Sequence, residues 1–260
     1  MSDVRTHEAL VDHQFGARAA VYLRSAVHAQ GADLQTLAAL VGAQIQPQVL
    51  DLGCGAGHVS FNVAPHAKEV VAYDLSSDML EVVARTTAER GFTNIVTRQG
   101  AAEHLPFGDQ SFDCVLSRYS AHHWRDLEAG LREVARVLRP GGTAAFVDAV
   151  SPGLPLLDTY LQATELLRDP SHVRNYSRAE WEAAMVRAGL RPGSVSVHRV
   201  RLDFATWIER MRTPKVQADA IRALQATVSA SVTRYFGFGP DGSFDLDVAM
   251  FQAVKSPLER

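Results

Sequence analysis

The chain has 260 residues, of which 47% are hydrophobic, 21% charged and 8% aromatic. That composition is typical of a globular protein and excludes disordered, collagen-like and coiled-coil chains. The formal net charge is -3, so the overall positive charge that supports non-specific nucleic-acid binding is absent, and no nucleic-acid partner is expected.

The cellular compartment is predicted from the small number of cysteines and the lack of a signal peptide or membrane-spanning run. The lack of metal-ligand spacings predicts that there is no metal site. Two cysteines, Cys54 and Cys114, are too few for a disulfide framework and indicate a reducing environment. The polar N-terminus does not resemble a signal peptide, and no apolar run approaches the roughly 18 to 20 residues that cross a bilayer. We therefore expect a soluble cytoplasmic protein. Neither H-x-x-x-H nor C-x-x-C spacing occurs, so no metal site is expected.

Hydrophobic periodicity predicts helices first and then alternating strands and helices. Residues 3–44 read as helical. From residue 48 onward, short apolar runs alternate with amphipathic segments, which predicts βαβ units and a parallel sheet. The predicted strands cover residues 48–52, 69–74, 94–98, 112–117 and 143–150. The predicted helices between them include residues 77–90 and a segment from Leu127 to Leu138, ended by Pro140, Gly141 and Gly142.

After residue 150 the pattern changes. Helices are predicted over residues 156–168, 178–189 and 204–235, and strands over residues 195–202 and 244–254. A strand, a helical segment and a closing strand predict an antiparallel hairpin with a cap inserted in it. These cap insertions are placed at about residues 151–176 and 204–240.

A glycine-rich turn follows the first predicted strand, in the segment VLDLGCGAGHVS. Glycine allows a sharp turn and leaves no side chain between the backbone and a ligand. The helix that follows adds amide donors and a partial positive charge, which suit a carboxylate or a phosphate. By itself this turn could equally serve any tight strand-to-helix connection.

Asp74 ends the second predicted strand, 21 residues after Gly53. In a right-handed βαβ unit the two strand ends lie side by side, so this carboxylate could accept both hydroxyls of a ribose. Alternatively, Asp74 caps the helix that begins near Ser77. The dinucleotide pattern G-x-G-x-x-G fits poorly, because His58 occupies its sixth position.

The spacing from Asp51 to Gly57, D-x-G-x-G-x-G, resembles motif I of the class I methyltransferases that use S-adenosylmethionine. The segments DLSSDML (74–80), GAAEHLPFGDQSFDCVLS (100–117) and VLRPGG (137–142) resemble further motifs of that family in the expected order. The resemblance covers roughly residues 45–150. LPFGDQSFD and the His122-His123 pair are most similar to the branch of ubiquinone/menaquinone-biosynthesis C-methyltransferases.

The resemblance implies a Rossmann-like α/β fold, with a mostly parallel seven-stranded sheet, an antiparallel last strand, helices on both faces and helical cap insertions. It implies S-adenosyl-L-methionine as cofactor and S-adenosyl-L-homocysteine as product. The implied cofactor-binding residues in this domain are Asp51, Gly53, Gly55, Gly57, Asp74, Leu75, Met79, Ala101, Ala102, Glu103 and Ser117. Relatives usually carry Asp or Asn at position 101 to accept a hydrogen bond from the adenine amino group, which Ala101 cannot do.

The segment that leaves the fourth strand faces the transferable methyl group, because ligands of open α/β sheets lie beyond the carboxyl ends of the strands. Tyr119, His122 and His123 are therefore the candidates for touching the substrate or acting as a base. Alternatively, one histidine caps the helix that starts near Asp126 or packs under the sheet.

Residues 1–44 are predicted to form a helical lid, and residues 45–260 the cofactor-binding domain. The segment from His13 to Tyr22 resembles the part that covers the cofactor in this branch. Phe15 and Tyr22 share a helical face, and Arg18 is a candidate for the methionyl carboxylate. Such a face could also be ordinary core.

The sequence thus predicts a methyltransferase acting on a small, partly apolar molecule by in-line methyl transfer. A non-catalytic module that binds the cofactor is one alternative, and an NAD(P)-dependent oxidoreductase is another. The sequence leaves open whether the protein is a monomer or a dimer, and whether C, O or N is methylated.

Overall fold

The computed structural model describes residues 6–16 and 31–256. Seven strands of that part form one sheet in the order β3-β2-β1-β4-β5-β7-β6. The strands are β1 (Gln48–Leu52), β2 (Glu69–Asp74), β3 (Ile95–Gln99), β4 (Phe112–Arg118), β5 (Leu138–Ala149), β6 (Leu190–Leu202) and β7 (Phe244–Lys255). The α-helices described are α1 (His7–Gly16), α2 (Ala32–Gly42), α3 (His58–Val63), α4 (Ser77–Glu89), α5 (Leu127–Val137), α6 (Pro155–Arg168), α7 (Arg178–Arg187), α8 (Phe204–Met211), α9 (Lys215–Thr227) and α10 (Ala230–Phe236).

Strand directions confirm the predicted fold class. Strands β1 to β5 pair in parallel, whereas β7 runs antiparallel to both of its neighbours, β5 and β6. Helices α8, α9 and α10 lie between β6 and β7 in the chain, which confirms the predicted hairpin with an inserted cap. The reversal of strand order between β1 and β4 leaves a crevice at the carboxyl ends of the central strands.

The central strands are mostly apolar because the sheet is covered on both faces. In β1, Val49 packs with the side chains of α2, α3 and α4, and Leu50 packs with those of α5 and α7. Helix α2 buries Leu34, Leu37 and Val41 in the first of these layers. Residues 32–42, the last part of the predicted N-terminal helical region, are therefore part of the core.

Three predicted boundaries were wrong. Helix α5 ends at Val137, and β5 begins at Leu138, so Pro140 and the two glycines after it lie inside the strand, where the register with β4 shifts. A bulge accommodates this sequence because it relaxes the ladder where proline cannot donate. Strand β6 begins at Leu190 rather than residue 195. The predicted helix 204–235 is three helices. Pro214 separates the first two, because proline disrupts a helix interior, and Val228 and Ser229 separate the second from the third.

The cap helices have a hydrophobic cluster of their own. Side chains of α6, α8, α9 and α10 pack with Phe244 and Leu246 at the start of β7. Tyr160 and Trp207 are its large aromatic members from α6 and α8. The cap is thereby fixed above the last two strands. In the described part of the chain, no helix combines the length and apolarity needed to span a bilayer.

Trp181 is the largest side chain buried beneath the sheet. It is 1% exposed, and its ring centroid lies 5.3 Å from that of Phe146 and 5.1 Å from that of Phe251. Trp181→Ala is expected to lower the free energy of unfolding by about 3 to 5 kcal/mol, because it leaves a cavity between these rings. Val186→Ala, on the same helix but 61% exposed, should change it by less than about 0.5 kcal/mol. Equal effects in urea unfolding would contradict this packing.

Candidate active site

A cleft of about 1110 Å³, including its open mouth, lies at the carboxyl ends of β1, β2 and β4. This is the point where the strand order reverses, the usual ligand position in open α/β sheets. The turn after β1, the end of β2, the segment after β3 and the turn after β4 form its walls, and α1 contributes His7, Glu8, Val11 and Phe15.

Asp74 joins the tip of β2 to the glycine turn. Its Oδ2 accepts a hydrogen bond from the Gly55 amide at 2.8 Å, and its Oδ1 accepts one from the Ser76 amide at 2.9 Å. Ser76 is the residue that precedes α4. The structure therefore brings Asp74 and the glycine turn together as predicted. The second bond of this carboxylate reaches the amide of Ser76, the N-cap residue of α4, and not a donor in the first turn of that helix, so Asp74 is not the predicted helix cap.

Asp51 presents an unsatisfied oxygen beside the same turn. The side chain is fully buried, and its Oδ2 accepts from the Ser60 amide at 2.9 Å and from the Ser60 hydroxyl at 2.6 Å. Its Oδ1 has no hydrogen-bond partner among the described residues. Burial raises the pKa of Asp51 to about 7, although the Ser60 bonds oppose this. A cationic group in the cleft would satisfy Oδ1 and stabilise the carboxylate.

The glycines of the turn have different roles. Gly55 has φ +50, and a Cβ there would meet nothing within 4 Å, so its backbone borders open space in the cleft. Gly57 has φ +87, and a Cβ there would lie 2.9 Å from the Phe61 ring and 3.0 Å from Val83. Gly57 therefore permits close packing of α3 and α4, and it does not line the cleft.

A second cavity of about 760 Å³, including its opening to solvent, adjoins the cleft beneath the cap. Its apolar wall comes from the ends of β5, β6 and β7 and from α8, through Ala149, Val200, Leu202, Trp207, Met211, Leu246 and Val248. Its polar wall comes from the turn after β4, from α6 and the loop that follows it, and from α8, through His122, His123, Glu165, Arg168, Asp169, Asn175 and Arg210. One face of this cavity is therefore apolar and the opposite end is charged.

Phe15, Tyr119 and His123 line both the cleft and the second cavity. The Phe15 and His123 rings meet edge to face, with centroids 4.9 Å apart. Tyr119 has φ +53, a left-handed conformation that is uncommon outside glycine. A ligand in the cleft and a ligand in the second cavity would meet at this shared wall.

The three candidate reactive residues differ in ionisation. Burial raises the pKa of Tyr119 to about 12, so its hydroxyl keeps its proton at neutral pH. Burial and the neighbouring His122 lower the pKa of His123 to about 4, so that ring is neutral. Burial lowers the pKa of His122, but the carboxylates of Asp148, Glu165 and Asp169 together raise it by more, and the net shift is upward. Neither histidine caps α5, because Asp126 does so through its bond from the Ala129 amide.

Most of the predicted cofactor residues lie together in the cleft. Its lining includes Phe15, Asp51, Gly53, Gly55, Asp74, Leu75, Met79, Ala101, Ala102 and Glu103. Gly57 and Ser117 do not line it, and Ser117 is buried in β4 at 2% exposure. Arg18 and Tyr22 lie outside the described residues. Of the candidate reactive residues, Tyr119 and His123 line both spaces and His122 lines only the second.

Several residues that line or support the two spaces were not predicted from the sequence. Arg118 lines the cleft, forms an ion pair with Asp33 and lies over the Tyr119 ring. Asp148, at the end of β5, bonds to His122. Each is a charged residue at the carboxyl end of an apolar strand, and this sequence pattern could have identified both as site residues. Asn175 lies in the loop after α6, where no sequence pattern marked it. The described residues contain no group of three or more His, Cys, Asp or Glu side chains arranged for a metal ion.

The chain is similar in sequence to known methyltransferases and to uncharacterized proteins. Residues 50–146 match the methyltransferase domain family. The uncharacterized protein YafE of Escherichia coli is 48% identical over 204 residues, which are 78% of this chain and 99% of that protein. A demethylmenaquinone methyltransferase of Chlorobaculum parvum is 37% identical over 114 residues, 43% of this chain and 45% of that protein.

A solved structure shows the same fold. The crystal structure of the YcgJ protein of Bacillus subtilis matches with a TM-score of 0.82 and 33% identity, over 86% of this chain and 97% of that chain. In sequence, YcgJ, an uncharacterized methyltransferase, is 37% identical over 200 residues, 77% of this chain and 79% of that protein.

The raised pKa of Asp51 makes stability depend on pH. The folded chain holds a proton on Asp51 up to about pH 7, whereas the unfolded chain releases it near the ordinary value of 3.8. This contribution to the free energy of unfolding is complete below about pH 4 and is lost as pH rises to about 7. Asp51→Asn should abolish the loss, so its stability relative to the wild type should increase between about pH 5 and about pH 8. A pH-independent difference in urea unfolding would contradict this.

Proposed function

The chain belongs to the class I S-adenosylmethionine-dependent methyltransferases, and from this premise we propose that it methylates a small, partly apolar molecule held in the second cavity. One observation carries this proposal: a cleft with the cofactor motifs and a cavity with an apolar wall meet at Phe15, Tyr119 and His123. A donor in the first space and an acceptor in the second would be in contact there.

The residues of the cleft fit the cofactor. The unsatisfied Oδ1 of Asp51 suits the methionyl amino group. Arg118, which lines the same cleft and is paired with Asp33, suits the carboxylate. Asp74 lies beside the glycine turn, where its carboxylate could accept the ribose hydroxyls. Leu75, Met79 and the Ala101–Ala102 backbone would hold the adenine ring. When bound, S-adenosylmethionine supplies an activated methyl group and leaves as S-adenosylhomocysteine.

Helix α1 is proposed as the cover of both spaces. His7 Nε2 lies 2.9 Å from the His123 carbonyl, and Gln14 Nε2 donates to the Met211 carbonyl at 3.1 Å. Glu8 and Arg125 form an ion pair 2.9 Å apart between these ends. These contacts hold the helix over the wall where the two ligands would meet. Exclusion of water there favours attack by the acceptor over side reactions.

The lining of the second cavity indicates the kind of acceptor. Val200, Leu246, Trp207 and Met211 form an apolar face that would hold a hydrocarbon or aromatic part. Of the aromatic residues in the insertions, only Trp207 lines this cavity. Relatives are named as methyltransferases of demethylmenaquinone and of malonyl-[acyl-carrier protein]. The acceptor here is proposed to be a free small molecule, with its polar group at the histidine end.

Binding of S-adenosylhomocysteine tests the cofactor assignment. Calorimetry should show saturable binding to the wild type, and no binding at millimolar ligand would reject the assignment. Asp74→Ala is expected to weaken affinity by about 2 kcal/mol, because it removes charge-assisted bonds to the ribose. Asp78→Ala, an exposed acidic residue in the first turn of α4, is the matched control and should leave affinity unchanged. Equal affinities for all three proteins would show that Asp74 serves only α4.

Ala101 gives a test of adenine recognition. Ala101→Asp restores an acceptor for the adenine amino group and should tighten binding by about 1 kcal/mol, roughly fivefold. The inosine analogue of S-adenosylhomocysteine lacks that amino group, so its affinity should not improve. An equal gain for both ligands would contradict this placement of adenine.

A further inference from the structure

His122 is held in one orientation by Asp148. Its Nδ1 lies 2.6 Å from Asp148 Oδ1, and its backbone amide donates to Asp148 Oδ2 at 3.2 Å. Asp148 is 2% exposed and also accepts a bond from the Ala149 amide at 2.8 Å. Because Nδ1–H donates to the carboxylate, the lone pair of a neutral ring is on Nε2. Nε2 has no hydrogen-bond partner among the described residues, and the ring lines the second cavity.

Asn175 supplies an independent sign of a ligand in the same cavity. The residue is 1% exposed and lines the cavity, yet its side-chain Nδ2 has no partner among the described residues. Its backbone is fixed by Gln162, which bonds both its amide and its carbonyl. A buried donor without an acceptor costs about 1 to 3 kcal/mol, which a ligand oxygen at this position would offset.

The chain brings these two groups to the same end of the cavity. The amides of Val173 and Arg174 donate to the His122 carbonyl at 2.9 and 3.2 Å. Asn175 is the next residue, so it lies beside the histidine turn. The cavity therefore has a proton acceptor and a hydrogen-bond donor on adjacent segments.

The charges around His122 favour its protonated form. The ionisable groups that face it or share its cavity are Asp148 from β5, Glu165 and Arg168 from α6, Asp169 and His172 from the following loop, Tyr119 and His123 from its own turn and Arg210 from α8. Burial opposes the charge, but the three carboxylates outweigh burial and raise the pKa of His122. Burial, with the two other histidines next, lowers the pKa of His172 to about 2. Of these three histidines, His122 is thus the one whose pKa is raised rather than lowered.

We propose that the second cavity binds an acceptor through an acidic hydroxyl group, whose proton passes to Nε2 of His122 and whose oxygen accepts a bond from the Asn175 side chain. His122 would be the catalytic base, and Asp148 is its positioning residue. This role rests on the methyl-transfer function proposed above and deepens it, because it makes the hydroxyl oxygen the atom that is methylated.

The proton transfer balances within the site. The O–H bond of the acceptor breaks, and its proton bonds to the Nε2 lone pair. The electron pair of that bond stays on the acceptor oxygen, which becomes the nucleophile. The positive charge that reaches the imidazole is stabilised by the Asp148 carboxylate through Nδ1–H.

The test uses 4-nitrophenol, which absorbs in the visible range when ionised, and 4-nitroanisole, which has the same ring without an acidic proton. Both are titrated into the full chain with and without S-adenosylhomocysteine, whose own affinity is measured by calorimetry on the same samples. The wild type should bind the phenol at least about tenfold more tightly than the anisole. Bound phenol should ionise about one pH unit or more below its free value.

Three substitutions separate the roles. His122→Gln should abolish the tenfold preference. Asp148→Asn should return the ionisation midpoint of the bound phenol toward its free value, a shift that a purely structural role would not produce. Asn175→Ala should weaken binding of the phenol more than binding of the anisole. Asp219→Asn is the matched control, because this exposed carboxylate of α9 pairs with Lys215 and does not line the cavity, and it should change neither quantity.

Each outcome decides one claim. Equal affinity for the two probes, or binding of neither, would overturn the hydroxyl site. So would an ionisation midpoint of the bound phenol in Asp148→Asn that equals the wild-type midpoint. Absence of S-adenosylhomocysteine binding to the wild type would instead reject the methyl-transfer function. The two failures are distinguishable, because the probes are also titrated without that ligand.

Discussion

The hydrogen bond from the Gly55 amide to the Asp74 carboxylate ties the tip of β2 to the turn that follows β1. Two parallel strands end side by side, and this bond sets the distance between their loops. The turn can approach the carboxylate because Gly55 adopts a left-handed conformation with open space where a side chain would stand. The position of the cleft follows from that contact. So does the proposed binding of the methionyl group and the ribose of the cofactor.

The turn after β4 connects the cofactor motifs to the cap. It begins at Tyr119 in a left-handed backbone conformation and continues into a short 3-10 helix that carries His122 and His123. Its position between the two spaces lets Tyr119 and His123 contribute to both. The cap has a separate hydrophobic cluster, so its lining could differ while the cofactor cleft stays the same. This separation explains how one family fold serves different acceptors.

Two buried carboxylates at strand ends are prepared for different tasks. Asp51 has one oxygen bonded to Ser60 and the other unsatisfied, and burial raises its pKa to about 7. It is suited to receive a cation. Asp148 has its oxygens engaged by His122 and the Ala149 amide, so its charge acts on the imidazole. The number of bonds already made by each carboxylate is the reason Asp51 is proposed to bind a ligand and Asp148 to position a histidine.

The sequence by itself determined the sheet class, the antiparallel hairpin and the placement of Asp51, Gly55 and Asp74 together, because strand and turn signals depend on neighbouring residues. It misplaced the start of β5, where the tertiary ladder accommodates a bulge at Pro140 that local rules assign to a loop. Only the tertiary structure decided that Asp148 orients a histidine 26 residues away and that Asn175 faces the same cavity. These contacts join segments distant in the chain, and their partners are selected by packing of the cap on the sheet, which no local pattern encodes.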